Sequence, residues 1–187
     1  MTHPPAPTTE RRATRSSAFP GRGAWTAQCR IDSPLGPMLA VRTTAGLAGL
    51  WFDGQAHHPG IVHVPVVEDD ALFNALAAQL QAAWQGHRTG FDLPLDPAGT
   101  AFQRAVWDAL LEIPHGQTRS YGELARHLGR PDAARAVGAA VGRNPISWVV
   151  PCHRVLGQDG SLTGYAGGIE RKTALLQREG ALLDRPS

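Results

Sequence analysis

Ser120-Tyr121-Gly122-Glu123-Leu124-Ala125-Arg126-His127-Leu128-Gly129-Arg130-Pro131-Asp132-Ala133-Ala134-Arg135-Ala136-Val137-Gly138-Ala139-Ala140-Val141-Gly142 decides how this chain is read. Ser120 to Glu123 has the form of a capping box, which opens a short helix running through Leu128. Gly129-Arg130-Pro131-Asp132 turns the chain. A second helix is expected from about Asp132 to Val141, ended by Gly142 and Asn144-Pro145. Two short helices joined by a few residues that include Gly predict a helix-turn-helix. The second helix is nearly bare of bulk, and Arg135 and Arg143 are its long side chains. A helix reading a wide major groove projects polar side chains. A smooth Ala/Gly face instead permits close approach, either to a neighbouring helix or to a narrow minor groove.

Upstream, Thr100-Ala101-Phe102-Gln103 forms another capping box, and the helix it opens turns Phe102, Val106, Trp107 and Leu110 inward before stopping at Pro114. Residues 91–99, with Pro94 and Pro97, read as a linker. Before the linker comes a small α+β unit. Its strands are expected at Thr26–Ile31, Met38–Val41 and Gly46–Phe52, with a turn at Ser33-Pro34-Leu35-Gly36. Leu72, Phe73, Leu76, Leu80 and Trp84 recur at helical spacing up to Gly86. His57, His58 and His63 sit in a Pro/Gly loop without a nearby thiol and are expected in solvent, not on a metal. Residues 1–23, rich in Pro, Thr, Ser and Arg, are expected to be a disordered basic tail.

Downstream, Val149-Val150-Pro151-Cys152-His153-Arg154-Val155 reads as a buried strand ending at Pro151 and presenting a thiol beside an imidazole. A last helix is expected from Ile169 to Glu179, with Leu175 and Leu176 on its apolar side and Gly180 as its stop. Glu179 in that last turn opposes the helix dipole, at about 0.3–1 kcal/mol. Cys152, His153, Glu179 and Tyr121 together suit an activated thiol site. A free thiol of pKa about 8.5 is only slightly ionised at neutral pH, and a base held by a carboxylate would raise that fraction. On an extended strand His153 and Cys152 point to opposite faces, so a bridging water would be needed between them.

Composition sets the class. The chain has 187 residues, 42% hydrophobic and 18% charged, which describes a soluble globular protein of one large or two small domains. The net charge of +2 is unevenly spread. Residues 1–30 carry five Arg against one Glu, residues 31–99 two Arg against seven acids, and residues 100–187 eleven bases against eight acids. A basic second half suits a polyanionic partner. Two widely spaced cysteines give no disulfide framework and favour a reducing compartment. With no long apolar run and no signal-like N-terminus, a cytoplasmic protein with no membrane association is expected.

Several segments resemble the O6-alkylguanine-DNA alkyltransferases. They are Ile113-Pro114-His115-Gly116-Gln117-Thr118-Arg119-Ser120-Tyr121, Arg135-Ala136-Val137-Gly138, Gly142-Arg143-Asn144-Pro145, Pro151-Cys152-His153-Arg154-Val155, Tyr165-Ala166-Gly167-Gly168 and Glu179-Gly180. Their order and spacing match from about Phe102 to Gly180, and Ser33-Pro34-Leu35-Gly36 matches a weaker N-terminal signature. The resemblance implies an α+β protein with a small RNase H-like N-terminal domain (24–96) and a winged-helix, helix-turn-helix C-terminal domain (97–187).

It implies that a flipped O6-alkylguanine, and potentially O4-alkylthymine, gives its alkyl group irreversibly to Cys152 in one turnover. His153 would activate Cys152 through a water and Glu179 would orient His153. Tyr121 would donate to N3 of the base, and Asn144 would brace the turn before the active strand. Tyr121, Val155, Tyr165 and Ala166 would line the base pocket. Ser120, Ala134, Arg135, Ala136, Gly138 and Arg143 would face duplex DNA from the minor groove, with Arg135 entering the stack left by the flipped base. A monomer is expected, with cooperativity on DNA left open. No cofactor and no metal are expected: some family members hold zinc in the N-terminal domain, but Cys29 here stands alone and is taken as structural. The competing readings are a winged-helix regulator or damage sensor with a redox-active cysteine, and a thiol hydrolase.

Overall fold

The computed structural model describes residues 24–182. Strands β1 (Ala27–Ser33), β2 (Gly36–Arg42) and β3 (Leu47–Phe52) form an antiparallel meander in that order. Ser33 pairs with Gly36 across a two-residue loop, and Gly36 takes a φ of 110° that only glycine adopts at little cost. β3 is buried along its whole length. Leu50 and Phe52 join the main core, while Trp51 turns the other way onto Leu39, Val41 and Val62.

Helix α1 (Ala71–Trp84) buries Phe73, Leu76 and Leu80, and Asp70 caps it by accepting from the amides of Leu72 and Phe73. Residues 91–99 connect the two halves, yet they are no free tether. Leu47 donates to the Pro94 carbonyl at 2.8 Å, Asp96 donates back to Leu47 at 2.7 Å, and the buried Asp96 carboxylate accepts from the Thr43 hydroxyl at 2.6 Å. The linker thus closes the open edge of β3.

The second half contains α2 (Ala101–Leu111), β4 (Arg119–Ser120), α3 (Tyr121–His127), α4 (Ala134–Gly142), β5 (Val155–Leu156) and α5 (Ile169–Arg178). Both expected capping boxes are formed, Thr100 with Gln103 and Ser120 with Glu123. Val106, Trp107 and Leu110 are buried as expected, and Phe102 is half-buried beneath the Arg130 guanidinium. α4 begins two residues later than expected because Pro131 opens a 3-10 turn over Pro131–Ala133. α3 and α4 form the helix-turn-helix, α2 packs on both, and β4 pairs in parallel with β5, giving the winged-helix arrangement.

One expectation fails. The run before Cys152 is not a strand: residues 147–150 are turns and Cys152–Arg154 is a 3-10 turn. Trp148 sits at a φ of 69°, which breaks any extended run, and the amides of Val149, Val150 and Cys152 bond locally to carbonyls two to four residues back. The segment is buried on all sides, so its apolar run carries no trace of the period that separates strand from turn. It is held instead by the first half, since Leu50 donates to the Pro145 carbonyl at 2.8 Å and Ser147 donates to Leu50 at 2.9 Å. Residues of both halves share one core.

Candidate active site

Cys152 begins the 3-10 turn and is 3% exposed. Asn144, buried two residues after α4, donates from Nδ2 to Sγ at 3.0 Å and to the Val150 carbonyl at 2.9 Å, while its Oδ1 accepts from the Ile146 amide at 3.0 Å. Asn144 therefore braces the turn and also touches the sulfur. His153 is fully buried, with Nε2 2.9 Å from Glu179 Oε1. Glu179 follows α5 directly as its cap residue. Arg154 donates to both Glu179 oxygens, from Nε at 2.8 Å and from Nη2 at 2.9 Å, and from Nη1 to the Ile113 carbonyl at 2.7 Å. The unfavourable dipole position of Glu179 is offset by this buried cation.

The charges follow. Burial alone would raise the Glu179 carboxyl, but bonds from His153 and Arg154 outweigh it and hold the group down to about 2. An ionised carboxylate only accepts, so Nε2 of His153 carries the hydrogen and Nδ1 keeps its lone pair. Burial lowers the His153 pKa below its ordinary value, outweighing the opposite pull of Glu179, and so favours the neutral ring. Its Nδ1 has no hydrogen-bond partner among the described residues. The residue that follows the thiol therefore carries a buried nitrogen lone pair with no partner among the described residues.

The thiol itself differs from expectation. Burial pushes Cys152 up to about 11, more than Asn144 and the nearby Lys172 cation pull it down. The resting sulfur is therefore a thiol at neutral pH.

Lys172 was not singled out from the sequence. It lies on α5 with no exposure, donating to the Val155 carbonyl at 2.6 Å and the Thr163 carbonyl at 2.7 Å. Burial holds its pKa down to about 8 although Cys152 opposes that shift. Its spacing of three and four residues from Leu175 and Leu176 is the signal that places it on the apolar side. The role of Arg154 was missed as well, though the residue stood inside the motif.

Tyr121 begins α3, its ring against Gly138, and its hydroxyl donates weakly to the Thr163 and Gly164 carbonyls at 3.3 and 3.4 Å. Burial, then the neighbouring Cys152, raise its pKa. Tyr165 is buried with its ring edge-on to His153 and its hydroxyl without a partner among the described residues. Val155 is buried in β5, and Ala166 lies half-buried in the turn after Tyr165. A separate cleft of about 500 Å³ lies behind Pro151 and Arg154, lined by residues such as Phe91, Leu111 and Trp148, and Cys152 is not on its wall.

On α4, Val137, Ala140 and Val141 face the core, and Trp107 donates to the Ala140 carbonyl at 2.9 Å. Arg135, Ala136, Ala139 and Arg143 are exposed, Ala134 and Gly138 half-buried. The smooth face is thus turned outward and no helix of the described chain occupies it. Ser120 is half-buried with its hydroxyl engaged in the capping box. His57 and His63 are exposed, but His58 is half-buried against Trp51. Cys29 packs in β1, and no three His, Cys, Asp or Glu side chains among the described residues are grouped to hold a metal.

Two family models cover most of the chain. Residues 30–97 match the ribonuclease-like domain of 6-O-methylguanine DNA methyltransferase, and residues 101–181 match its DNA-binding domain. The chain belongs to the 6-O-methylguanine DNA methyltransferase family. Among curated members of that family, the methylated-DNA–protein-cysteine methyltransferase of Mycobacterium tuberculosis is 50% identical over 149 residues, 80% of this chain and 89% of its own. The namesake from Methanosarcina acetivorans is 46% identical over 154 residues, 81% of this chain and 96% of its own. The crystal structure of M. tuberculosis OGT in complex with DNA superposes with a TM-score of 0.76 at 47% identity, covering 83% of this chain and 94% of that one. The family's ribonuclease-like and DNA-binding domains correspond to the two halves of the fold. No helix among the described residues is long and apolar enough to cross a membrane.

Proposed function

We propose that this protein repairs DNA by taking the alkyl group from O6 of guanine onto its own Cys152, once per molecule. The observation that carries the reading is the buried sequence Asn144–Cys152–His153–Glu179, with a free lone pair on His153 Nδ1, set behind an exposed Ala/Gly helix in a chain of this family.

The chemistry follows from the geometry. As the alkyl carbon reaches Sγ, the thiol proton passes through one water to Nδ1, and Glu179 stabilises the imidazolium that forms. The sulfur–carbon bond forms as the carbon–O6 bond breaks, and the electron pair stays on the base. A hydrogen bond from Tyr121 to N3 spreads that charge, and the base takes up a proton to leave as guanine. The long bonds of the Tyr121 hydroxyl leave it free to turn to the base. Asn144 Nδ2 and the Lys172 cation stabilise charge developing on sulfur. The thioether product carries no proton to return, so the reaction is not reversed. Protein side chains and water suffice, without metal or cofactor.

The partner is duplex DNA entered from the minor groove. Arg135, Ala136 and Arg143 line the outer face of α4, with Ala134, Gly138 and Ser120 at its margins. A backbone this bare approaches a narrow groove closely. Arg135 fills the place of the extruded nucleotide, offsetting part of the few kcal/mol that flipping costs. The base lies between Tyr121, Val155, Tyr165 and Ala166. The protein acts as a cytoplasmic monomer.

Intact mass before and after incubation with a duplex containing O6-methylguanine tests the reading. One added methyl group per protein, mapped to Cys152, is expected. Continued turnover with an unmodified protein would indicate a hydrolase, and DNA binding without any adduct a regulator or sensor.

A further inference from the structure

Gln55 stands in the turn after β3, far from the reacting atoms in sequence, yet its side chain is 6% exposed. Its Oε1 accepts from the Phe52 amide at 2.8 Å and from the Ser147 hydroxyl at 3.0 Å. Ser147 lies in the turn that leads from Asn144 to Cys152. The next residue, Ala56, donates its amide to the Ala166 carbonyl at 2.9 Å. Beside it, a Cβ on Gly167 would stand 3.1 Å from the Phe52 ring and 2.6 Å from Tyr165. The Arg171 guanidinium lies over Phe52 and donates to the Leu35 and Gly167 carbonyls.

One corner of the N-terminal domain therefore touches both sides of the pocket, the approach to the thiol and the Tyr165–Gly167 wall. Between those sides the chain has only the 3-10 turn at Cys152–Arg154, the two-residue β5 and the irregular stretch 157–164, so no long regular element sets their spacing. Lys172 ties Val155 to Thr163 on the α5 side. The Gln55–Ala56 corner ties the opposite side. A buried amide making two directed bonds is costly to misplace, because each partner left unpaired loses its desolvation.

We infer that Gln55 is a positioning residue which, with Ala56, fixes the gap between Cys152 and the Tyr165–Gly167 wall and thereby sets the size of alkyl group accepted. This rests on the alkyl transfer proposed above. The ribonuclease-like domain thus shapes the reaction without touching the substrate. A small methyl group relies on the wall to place it against sulfur, whereas a bulkier group fills a loosened pocket by itself.

The test compares transfer rates from two duplexes that differ only in carrying O6-methylguanine or O6-benzylguanine. Gln55→Ala is expected to slow methyl transfer about tenfold, since small misplacements near a reacting centre are expensive, and benzyl transfer less. Ser147→Ala, which cuts the same link but keeps the Phe52 bond, is expected to shift the benzyl-to-methyl ratio in the same direction and serves should Gln55→Ala not fold. Gln55→Glu keeps an accepting oxygen and is expected to restore the wild-type ratio. Equal losses on both substrates, an unchanged ratio, or no rescue by Glu would overturn the inference while wild-type alkylation stands. A wild-type protein that takes no alkyl group from either duplex would overturn the proposed function, and this inference with it.

Discussion

Arg154 grips Glu179 through two parallel hydrogen bonds, Nε to Oε2 at 2.8 Å and Nη2 to Oε1 at 2.9 Å, and His153 shares the second oxygen. The imidazole beside Cys152 is therefore oriented by a carboxylate that is itself fixed by a planar fork. A forked donor suits two oxygens at once in a way that an ammonium does not. In the proposed reaction Arg154 would act one step back from the chemistry, as a positioning residue, and its third bond anchors the unit to the Ile113 carbonyl.

Removing one partner of a buried pair costs about 3–5 kcal/mol, because the other is left without compensation. Arg154→Ala should therefore lower the melting temperature by roughly 10 °C. Arg154→Lys keeps the charge but loses the fork, and should fall between the two in both stability and alkylation rate. Thermal unfolding and single-turnover alkylation check this. A Lys variant indistinguishable from wild type in both would remove the fork from the account.

Glu179 also sets an acid limit. Its pKa is held to about 2 in the folded chain against an ordinary 4.5. A depressed carboxyl contributes stability that is present above its unfolded pKa and lost as pH falls through the folded one. On the order of 3 kcal/mol should disappear between about pH 4.5 and 2. Glu179→Gln should be less stable at neutral pH and should lose this particular acid step. It should also slow alkylation by about a hundredfold at pH 7, since Gln orients the ring but stabilises the imidazolium poorly. Urea unfolding across pH 2–7 measures the first effect. An unchanged slope in the variant would show that the acid loss belongs to other groups.

The sequence was most legible where local chemistry decides the backbone. Both capping boxes form at the residues that announced them, and the bare second helix presents Ala136 and Ala139 outward beside two arginines. It was least legible where tertiary burial decides. Val149 and Val150 are apolar because they are enclosed on all sides, not because they alternate, so a chain of turns read as a strand. Nothing in the sequence marks Lys172 apart from its spacing to Leu175 and Leu176, and the carbonyls of Val155 and Thr163 account for its burial. The thiol was expected to be partly ionised from its neighbours alone. The enclosure that forbids this is invisible in sequence.

Arg135 offers a test of how the base is reached. It is exposed on α4 beside Ala136, on the face that meets DNA in the proposed complex. Arg135→Ala should slow transfer from a duplex by tenfold or more, taking about 1.4 kcal/mol of the few kcal/mol that flipping costs. Reaction with free O6-benzylguanine, which needs no flipping, should stay near wild type. Equal losses on the two substrates would make the residue structural.

Lys172 should leave its mark at alkaline pH. It is a buried cation held to about 8, and its charge lowers the Cys152 pKa. With its folded pKa depressed from 10.5, the penalty for charging it is fully present below about pH 8. Stability should therefore rise with pH between about 8 and 10.5, where the unfolded chain binds the extra proton. The rate should respond in the opposite sense. Below pH 8 the ammonium stabilises charge growing on sulfur, and above it that help is lost, so the rise in alkylation expected from easier thiol deprotonation should flatten. Lys172→Met removes the cation at every pH. It should be about tenfold slower at pH 7, equivalent to about 1.4 kcal/mol of transition-state stabilisation, and should show no flattening near 8. Two freed carbonyls cost stability while loss of a buried charge restores some, so the melting temperature at pH 7 should move little. Alkylation rates from pH 6 to 10, with unfolding at the same points, measure both. A variant that keeps the wild-type profile shape would assign the alkaline feature to another group and confine Lys172 to tethering Val155 and Thr163.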